Sequence, residues 1–305
     1  MFSHKIWRLL DTSEIYFYFL RKPNLKFFCT FPHRQENKHT TLKENQTIKP
    51  FLKSTASDLK SSGKMKAKRL SVEGNIAVGK STFLRLLSRV NPDWSLVTEP
   101  LKKWQNIQTT AQPQDFSQDM GNLLQLIYKD PARWSYTFQT FSCLSRFRIQ
   151  IEPLPEQLLK IKEPVQIFER SIYSDRYVFA LTLSKLGHMN AVEWAMYQEW
   201  HSFLMQEFDE RVALDGIVYL RANPEKCFER LQKRAREEEM TVQQNYLENL
   251  HEQHENWLAR KTTNVQFQKV KNIPVLMLDV NEDFENNSDA SDLLSHKVKD
   301  FIADL

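Results

Sequence analysis

The sequence predicts an α/β fold: a five-stranded parallel sheet flanked by helices, with a helical lid at one edge. Three observations carry this. From Lys68 onward, short apolar runs of strand length alternate with longer stretches of helical period, the alternation that builds parallel sheets through crossover helices. The first run stops at Gly74-Asn-Ile-Ala-Val-Gly79-Lys80-Ser81, a complete G-x-x-x-x-G-K-[ST] pattern, and Thr82 to Arg89 follows at helical spacing. Later, Asn223-Pro224 sets a cap and then proline at the first helical position, opening an arginine-rich helix.

Taken in order, the chain begins with a segment of different character. Residues 1–64 hold a single glycine, Phe/Tyr clusters between Tyr16 and Phe28, a polar stretch to Ser62, and 12 Lys and Arg against 5 Asp and Glu. A basic segment poor in acids is a candidate organellar leader, although Asp11 and Glu14 lie near its start. The other reading is a variable extension, with Met65 as an alternative start. Little independent fold is expected in 1–64, and the folded domain is expected over 65–305.

Arg69–Glu73 reads as the first strand, Ser95–Glu99 as the second, Val165–Glu169 as the third, Gly216–Leu220 as the fourth and Val275–Asp279 as the fifth. Between them Gln118–Tyr128, Ser135–Glu152 and Val192–Asp209 have helical periodicity. Right-handed crossovers bring every strand's C-terminal end to one edge, where ligands bind in such sheets.

Composition narrows the function classes. A chain of 305 residues with 41% hydrophobic and 12% aromatic content can bury a substantial core. No run of about 18 uncharged apolar residues offers a membrane span. Cys29, Cys143 and Cys227 are odd in number and widely spaced, which supports neither a disulfide framework nor a zinc site. The net charge of +4 belongs to the leader; the remainder carries 30 basic against 33 acidic residues, without the basic stripe a nucleic-acid partner requires.

The chemistry gathers at the predicted sheet edge. In the glycine loop, Gly74, Asn75, Ile76, Ala77, Val78 and Gly79 turn backbone N–H groups towards phosphate oxygens, Lys80 adds a cation, and Ser81 and Thr82 open the helix, Ser81 offering a hydroxyl to Mg2+. Glu99 ends the second strand, with Pro100 stopping any continuation as helix. A carboxylate so placed can orient or deprotonate an attacking hydroxyl, though a solvated strand-end glutamate is the commoner case. Glu169 ends the third strand where an acid directed at a metal belongs, and Arg170 beside it is a cation for the phosphate side; a surface ion-pair cluster is the plainer account. Arg230, Arg234 and Arg236 lie on a capped helix with Phe228 and Leu231 as its buried face, which suits a lid over phosphates as well as it suits an exposed, ion-paired helix. Phe138, Gln139, Ser142 and Arg146 share one helical face, the equipment of a planar heterocycle pocket or of an aromatic core.

These segments together resemble the deoxynucleoside kinases of the deoxyguanosine and deoxycytidine kinase group. The likeness runs over about residues 67–305 through the glycine loop, Thr98-Glu-Pro, Ala132-Arg-Trp-Ser-Tyr-Thr-Phe-Gln-Thr, Glu169-Arg-Ser-Ile-Tyr-Ser-Asp-Arg-Tyr, Arg234-Ala-Arg-Glu-Glu-Glu and Leu278-Asp-Val-Asn-Glu-Asp-Phe. It leans to the deoxyguanosine branch at Ala77-Val-Gly, Phe141-Ser142 and Pro164-Val-Gln-Ile-Phe. The resemblance implies a P-loop kinase that transfers the γ-phosphoryl group of ATP or another nucleoside triphosphate, with Mg2+, to a deoxynucleoside 5′-hydroxyl. In it Glu99 would be the base, aided by Arg170 and Lys80. Gln139 would pair with the nucleobase, and Arg146 and Asp175 would read its exocyclic groups. Phe138 and Phe179 would pack on the base, with Trp104 lining the pocket. Tyr128 and Glu239 would hold the sugar 3′-hydroxyl. Arg234 and Arg236 would be the lid arginines, and Asp279 to Phe284, including Glu282, Asp283 and Phe284, would surround the donor base.

Retention of Arg146 with Asp175 separates the chain from thymidine-preferring relatives, and Ser142 favours a purine. The resemblance further implies a homodimer through long helices and a mitochondrial destination; a start at Met65 would instead leave the product in the cytosol or nucleus. A deoxycytidine preference is the alternative within this activity. A non-catalytic nucleotide-binding protein is the alternative outside it, against which the intact Lys80, Glu99, Arg170 and lid arginines argue. No Asn-Lys-x-Asp stretch follows the loop, which disfavours a GTPase switch.

Overall fold

The five strands form one parallel sheet in the order β2-β3-β1-β4-β5 in the computed structural model, which describes residues 67–107 and 121–305. The strands are β1 (Lys68–Glu73), β2 (Ser95–Val97), β3 (Val165–Glu169), β4 (Gly216–Arg221) and β5 (Val275–Asp279). In register, Val72 lies opposite both Glu169 and Val218, and Arg221 opposite Asp279. From β1 the chain moves out to β2, returns to β3 beside β1, then crosses to β4 on the other side. The switch point of the sheet therefore lies at the C-terminal end of β1, where the glycine loop begins.

Helices cover both faces, so the central strands read as continuous apolar runs: Leu70, Val72, Ile167, Ile217, Val218 and Leu220 are at most 1% exposed. Helix α1 (Lys80–Val90) packs Phe83, Leu84 and Leu87 onto that sheet. Full burial of each such side chain contributes about 1.5–3 kcal/mol. Short α2 (Leu101–Gln105) and α3 (Leu123–Lys129) lead to α4 (Pro131–Gln150). Asp130 caps α4 by accepting from Arg133 N at 3.2 Å, and Asn122 caps α3 by accepting from Gln125 N at 3.0 Å. Helix α5 runs over Ile172–Ser174, Asp175–Ala180 and Leu181–Lys185, its middle part π-helical. Then come α6 (Ala191–Glu207), α7 (Asp209–Val212) and the arginine-rich helix α8 (Pro224–Arg234). Helix α9 (Gln244–His254) continues as a π turn over Glu255–Ala259 and is followed by α10 (Gln268–Lys271) and α11 (Ser288–Asp304). The end of α11 closes on the start of β4: a Cβ at Gly216 would stand 2.8 Å from Leu305 Cδ1 and 2.9 Å from Phe301 Cε1.

Several sequence expectations change. β2 ends at Val97, so Glu99 lies beyond the strand, and Pro100 precedes a helix instead of preventing one. Proline lacks only an N–H that a helix start leaves unpaired in any case. Helix α4 begins at Pro131, four residues before the expected Ser135, because Asp130 and Pro131 supply a cap and a first-turn proline. On α8 it is Cys227, with Leu231, that is buried, while Phe228 is half-buried and Asn223 makes no side-chain cap bond; the helix ends at Arg234 because Ala235 turns left-handed at φ +49°, so Arg236 lies beyond it. Helices α5, α7, α9, α10 and α11 have no counterpart among the sequence expectations. The expected leader 1–64 and the first residues of the expected helix Gln118–Tyr128 lie outside the described residues. No described helix is long and apolar enough to cross a membrane.

Candidate active site

The glycine loop leaves β1 through a bend that only its sequence permits. Gly74 has φ +141°, and a Cβ there would meet Leu220 O at 2.5 Å. Asn75 ties the loop down, its amide donating to Leu247 O at 2.9 Å while its Oδ1 accepts from Ile76 N at 2.9 Å. The Lys80 ammonium, 5% exposed, folds back to donate to Asn75 O at 2.7 Å and Gly74 O at 3.3 Å. Burial, with Arg170 adding to it, brings Lys80 down to about 7 against the opposing pull of Glu99 and Glu169.

The loop opens into one cavity of about 1010 Å³ that takes in both ends of the predicted site. At the phosphate side, Ser81 Oγ donates to Glu169 Oε1 at 2.6 Å, which brings a hydroxyl and a carboxylate to one point below the loop. Arg230, expected on the phosphates, uses its donors on carbonyls: Val78 O at 3.1 Å, Asn281 O at 3.2 Å and Glu282 O at 3.1 Å. It braces the loop against the Asp279–Phe284 segment, where Phe284 meets Phe83 edge-on at 6.0 Å. The carboxylate of Asp283 is closed on its own turn, accepting from Glu285 N and Asn286 Nδ2, each at 2.8 Å. Thr82 accepts from Arg85 at 3.0 Å and also lines the cavity.

Deeper in, Glu99 is gripped by two guanidiniums. Its Oε1 lies 2.5 Å from Arg146 Nη2 and 3.1 Å from Arg170 Nε. Burial alone would raise this carboxyl; Arg146, Arg170 and Lys80 outweigh it and hold it at about 2. Arg146 also bonds Asp175 and lies over the Trp104 ring at 4.8 Å. Trp104 in turn meets Phe138 edge-on at 5.5 Å and donates to Ser145 Oγ at 2.8 Å. Arg170 lies over Phe179 at 4.5 Å, and its Nη1 donates to Gly74 O at 2.7 Å. The π-helical part of α5 begins at Asp175 and carries Phe179, so the widened turn delivers both to the cavity.

The wall formed by α4 and α5 presents unfilled hydrogen-bonding capacity. Gln139 Oε1, Asp175 Oδ2 and Arg146 Nε are buried without a partner among the described residues. Ser142 turns its hydroxyl to Gln139 O at 3.3 Å and Asp175 Oδ1 at 3.4 Å, so it does not line the cavity itself. Opposite, Glu239 is 3% exposed and bridges Arg234 at 2.5 Å and Arg236 at 2.8 Å, with Tyr128 on the adjoining wall. Glu238 beside it accepts from Gln105 at 2.8 Å and Asn122 at 3.0 Å, fastening the segment after α8 to α2 and the entry of α3.

Every other residue named for the site from sequence lines this cavity or braces its walls. Tyr246 of α9 lines it beside Tyr128 and was missed, as were Lys226 and Lys233 on α8. The spacing of Leu247 and Leu250 after Tyr246 was the available signal for α9. Among the described residues no cluster of three or more His, Cys, Asp or Glu side chains suits a metal. Cys143 and Cys227 are buried and free.

Residues 70–303 match the deoxynucleoside kinase family model. The chain is 65% identical over 264 residues to mitochondrial deoxyguanosine kinase of Xenopus laevis, covering 86% of this chain and 100% of that protein. It is 50% identical to deoxycytidine kinase 2 of Gallus gallus, over 81% of this chain and 95% of the relative. Against deoxycytidine kinase of Homo sapiens it is 44% identical, over 78% and 92%. A match that runs from the first strand into the last helix, with relatives aligned over nearly their whole length, leaves one assignment: the chain belongs to the deoxynucleoside kinase family, whose members are phosphotransferases.

Proposed function

We propose that the chain transfers the γ-phosphoryl group of ATP or another nucleoside triphosphate to the 5′-hydroxyl of a 2′-deoxynucleoside, deoxyguanosine and deoxyadenosine ahead of deoxycytidine. The observation that carries this reading is the linkage of the glycine loop to Glu99 through Arg170, which bonds Gly74 O and Glu99 in one cavity. Glu99 receives the hydroxyl, and Arg170 fixes the direction in which it does so. A carboxylate held at about 2 is a weak base, adequate where the nucleophile gives up its proton late in a loose transition state. Its main contribution is orientation. Lys80, released from the loop carbonyls, meets the outer phosphates, and Arg234 and Arg236 stabilise charge from the lid.

Mg2+ fits Ser81 and Glu169, whose hard oxygens already meet at 2.6 Å, since this ion takes one or two protein ligands and completes its shell with phosphates and water. Held there, the ion would supply charge neutralisation to the phosphoryl groups. Gln139 Oε1 and Asp175 Oδ2 accept from base N–H groups, and Arg146 Nε donates to a base acceptor. Guanine offers both kinds on one edge. So does cytosine, and two of the relatives above are deoxycytidine kinases, which supports the second reading. Tyr128 and Glu239 take the sugar 3′-hydroxyl, and Glu282 to Phe284 the donor base.

Val192, Met196 and Phe203 of α6 are 68%, 53% and 55% exposed and fall on one side of the helix. They are the surface for a second copy, to be checked by sedimentation. The basic leader and the name of the Xenopus relative support a mitochondrial destination; a reporter fused to residues 1–64 tests it.

Initial rates with each of the four natural deoxynucleosides and Mg2+-ATP test the activity. Turnover concentrated on deoxyguanosine is expected. Turnover concentrated on deoxycytidine reverses the ranking, and nucleotide binding without turnover leaves a non-catalytic binding protein.

A further inference from the structure

Behind the reactive groups, the end of β1 and the corner after β3 are joined by three contacts. Arg170 N donates to Val72 O at 3.0 Å, Arg170 Nη1 to Gly74 O at 2.7 Å, and Ser171 Oγ to Glu73 Oε1 at 2.6 Å. Between Glu169 and Ser171, Arg170 has φ +64°, a conformation a non-glycine residue keeps only when its surroundings impose it.

Glu73 is fully buried and does not line the cavity. Its Oε2 makes no hydrogen bond of ordinary length, and the hydroxyls of Ser71, two residues back on the same strand face, and Ser174 stand near the carboxyl without closing on it as Ser171 does. A carboxyl so enclosed is costly to the fold, and a hydrophobic residue of similar volume would stand there at lower cost. Packing therefore does not account for it.

We propose that Glu73 is a positioning residue: by accepting the Ser171 hydroxyl it locks the corner 169–171 onto the start of the phosphate loop, and so sets Glu169 against Ser81 and Arg170 against Glu99. This rests on the phosphoryl-transfer reading, because the groups it positions are those of that reaction. Loosening the corner separates the two oxygens assigned to Mg2+ and turns Arg170 away from Glu99. The nucleobase wall, built from α4 and the π turn of α5, is affected less. Burial pushes the Glu73 carboxyl up, with Ser171, Arg170 and, more weakly, Ser174 and Ser71 drawing it back, so a neutral amide is a fair replacement.

The test compares Glu73→Ala, Glu73→Gln, Ser171→Ala and the Glu73→Ala/Ser171→Ala double variant with the parent full chain. The readouts are kcat, nucleoside KM, the Mg2+ concentration for half-maximal rate, and calorimetric binding of ATP with and without Mg2+. Glu73→Ala is expected to lower kcat and raise the Mg2+ requirement about tenfold each, with nucleoside KM within about threefold, the scale of losing a group that orients metal ligands. Glu73→Gln, whose amide oxygen accepts the same hydrogen bond, restores both. In the Ser171→Ala background Glu73→Ala has no further effect; the lost α5 cap is common to both arms of that comparison.

A folded Glu73→Ala protein with normal kcat and Mg2+ response overturns the proposal, as do independent effects of the two alanine changes. If Glu73→Ala does not fold, near-parent Glu73→Gln beside impaired Ser171→Ala supports it, and normal Ser171→Ala overturns it. A parent inactive on every deoxynucleoside sinks the reaction assignment instead. The Mg2+ dependence of ATP binding then still decides the role of Glu73.

Discussion

Arg146 donates to Glu99 Oε1 at 2.5 Å with one guanidinium nitrogen and holds Asp175 with the other, so a single cation joins the acid after β2 to the acid that opens the π turn of α5. All three side chains are largely buried. Removing the shared partner leaves two carboxylates close together without it. Arg146→Met is expected to cost about 3–5 kcal/mol in urea unfolding, the range for breaking a buried pair from one side. An unfolding midpoint equal to that of the parent would refute this.

Glu99→Gln separates chemistry from binding. The amide keeps the shape of the carboxylate but cannot take a proton, so single-turnover phosphoryl transfer is expected to fall about 10²–10⁴-fold. Calorimetric ATP affinity should change little; full turnover removes the base assignment. The same residue carries a pH signature. Its folded pKa, about 2, lies below the ordinary 4.5, so its stabilising contribution is complete above the ordinary value and is lost as pH falls towards 2. Acid unfolding of the Glu99→Gln variant should lack that component.

Lys80 gives a basic limb. In the free protein its ammonium is lost as pH rises through about 7, so kcat/KM for the triphosphate should decline above that pH. Bound phosphates draw the pKa upward, and kcat should hold to higher pH. Stability moves the other way: between about 7 and the ordinary 10.5 the unfolded chain binds the extra proton, so stability gains from Lys80 as pH rises through that window. A Lys80→Met variant should lose both trends.

The two loop glycines should respond differently to alanine. At Gly74 a Cβ meets backbone, Leu220 O at 2.5 Å, and φ is +141°; Gly74→Ala is expected to lose about 3 kcal/mol or more and most activity. At Gly79 the Cβ meets the Phe284 ring at 3.0 Å, a side chain that can move. Gly79→Ala should fold, with triphosphate KM raised about tenfold through the disturbed loop and the φ of +112°. Thermal unfolding beside initial rates distinguishes the two.

What the sequence disclosed was whatever a local pattern encodes. The strands, the glycine loop and the face of α4 each have a period or a motif, and each is found within a few residues of its expected place. Helix α9 was hidden because its inward face mixes Leu247 and Leu250 with buried Gln253, His254 and Glu255, which dilutes the apolar period. In α11 the buried Ser291 and Ser295 interrupt the stripe of Leu294, Val298 and Ile302 in the same way. Arg230 reads as a phosphate cation from its place on the lid; only tertiary structure reveals the carbonyls of Val78, Asn281 and Glu282 around it. Glu73 has no local signal either, since its meaning lies in a serine 98 residues away.

The seat of Leu305 and Phe301 over Gly216 bears on how the protein is handled in the laboratory. A purification handle or fluorescent reporter joined after Leu305 begins where the chain is wedged against the first residue of β4, and a short, stiff junction there would pull on the sheet. A long flexible spacer leaves that wedge undisturbed. Trimming that reaches Phe301 would uncover the base of the sheet and invite aggregation.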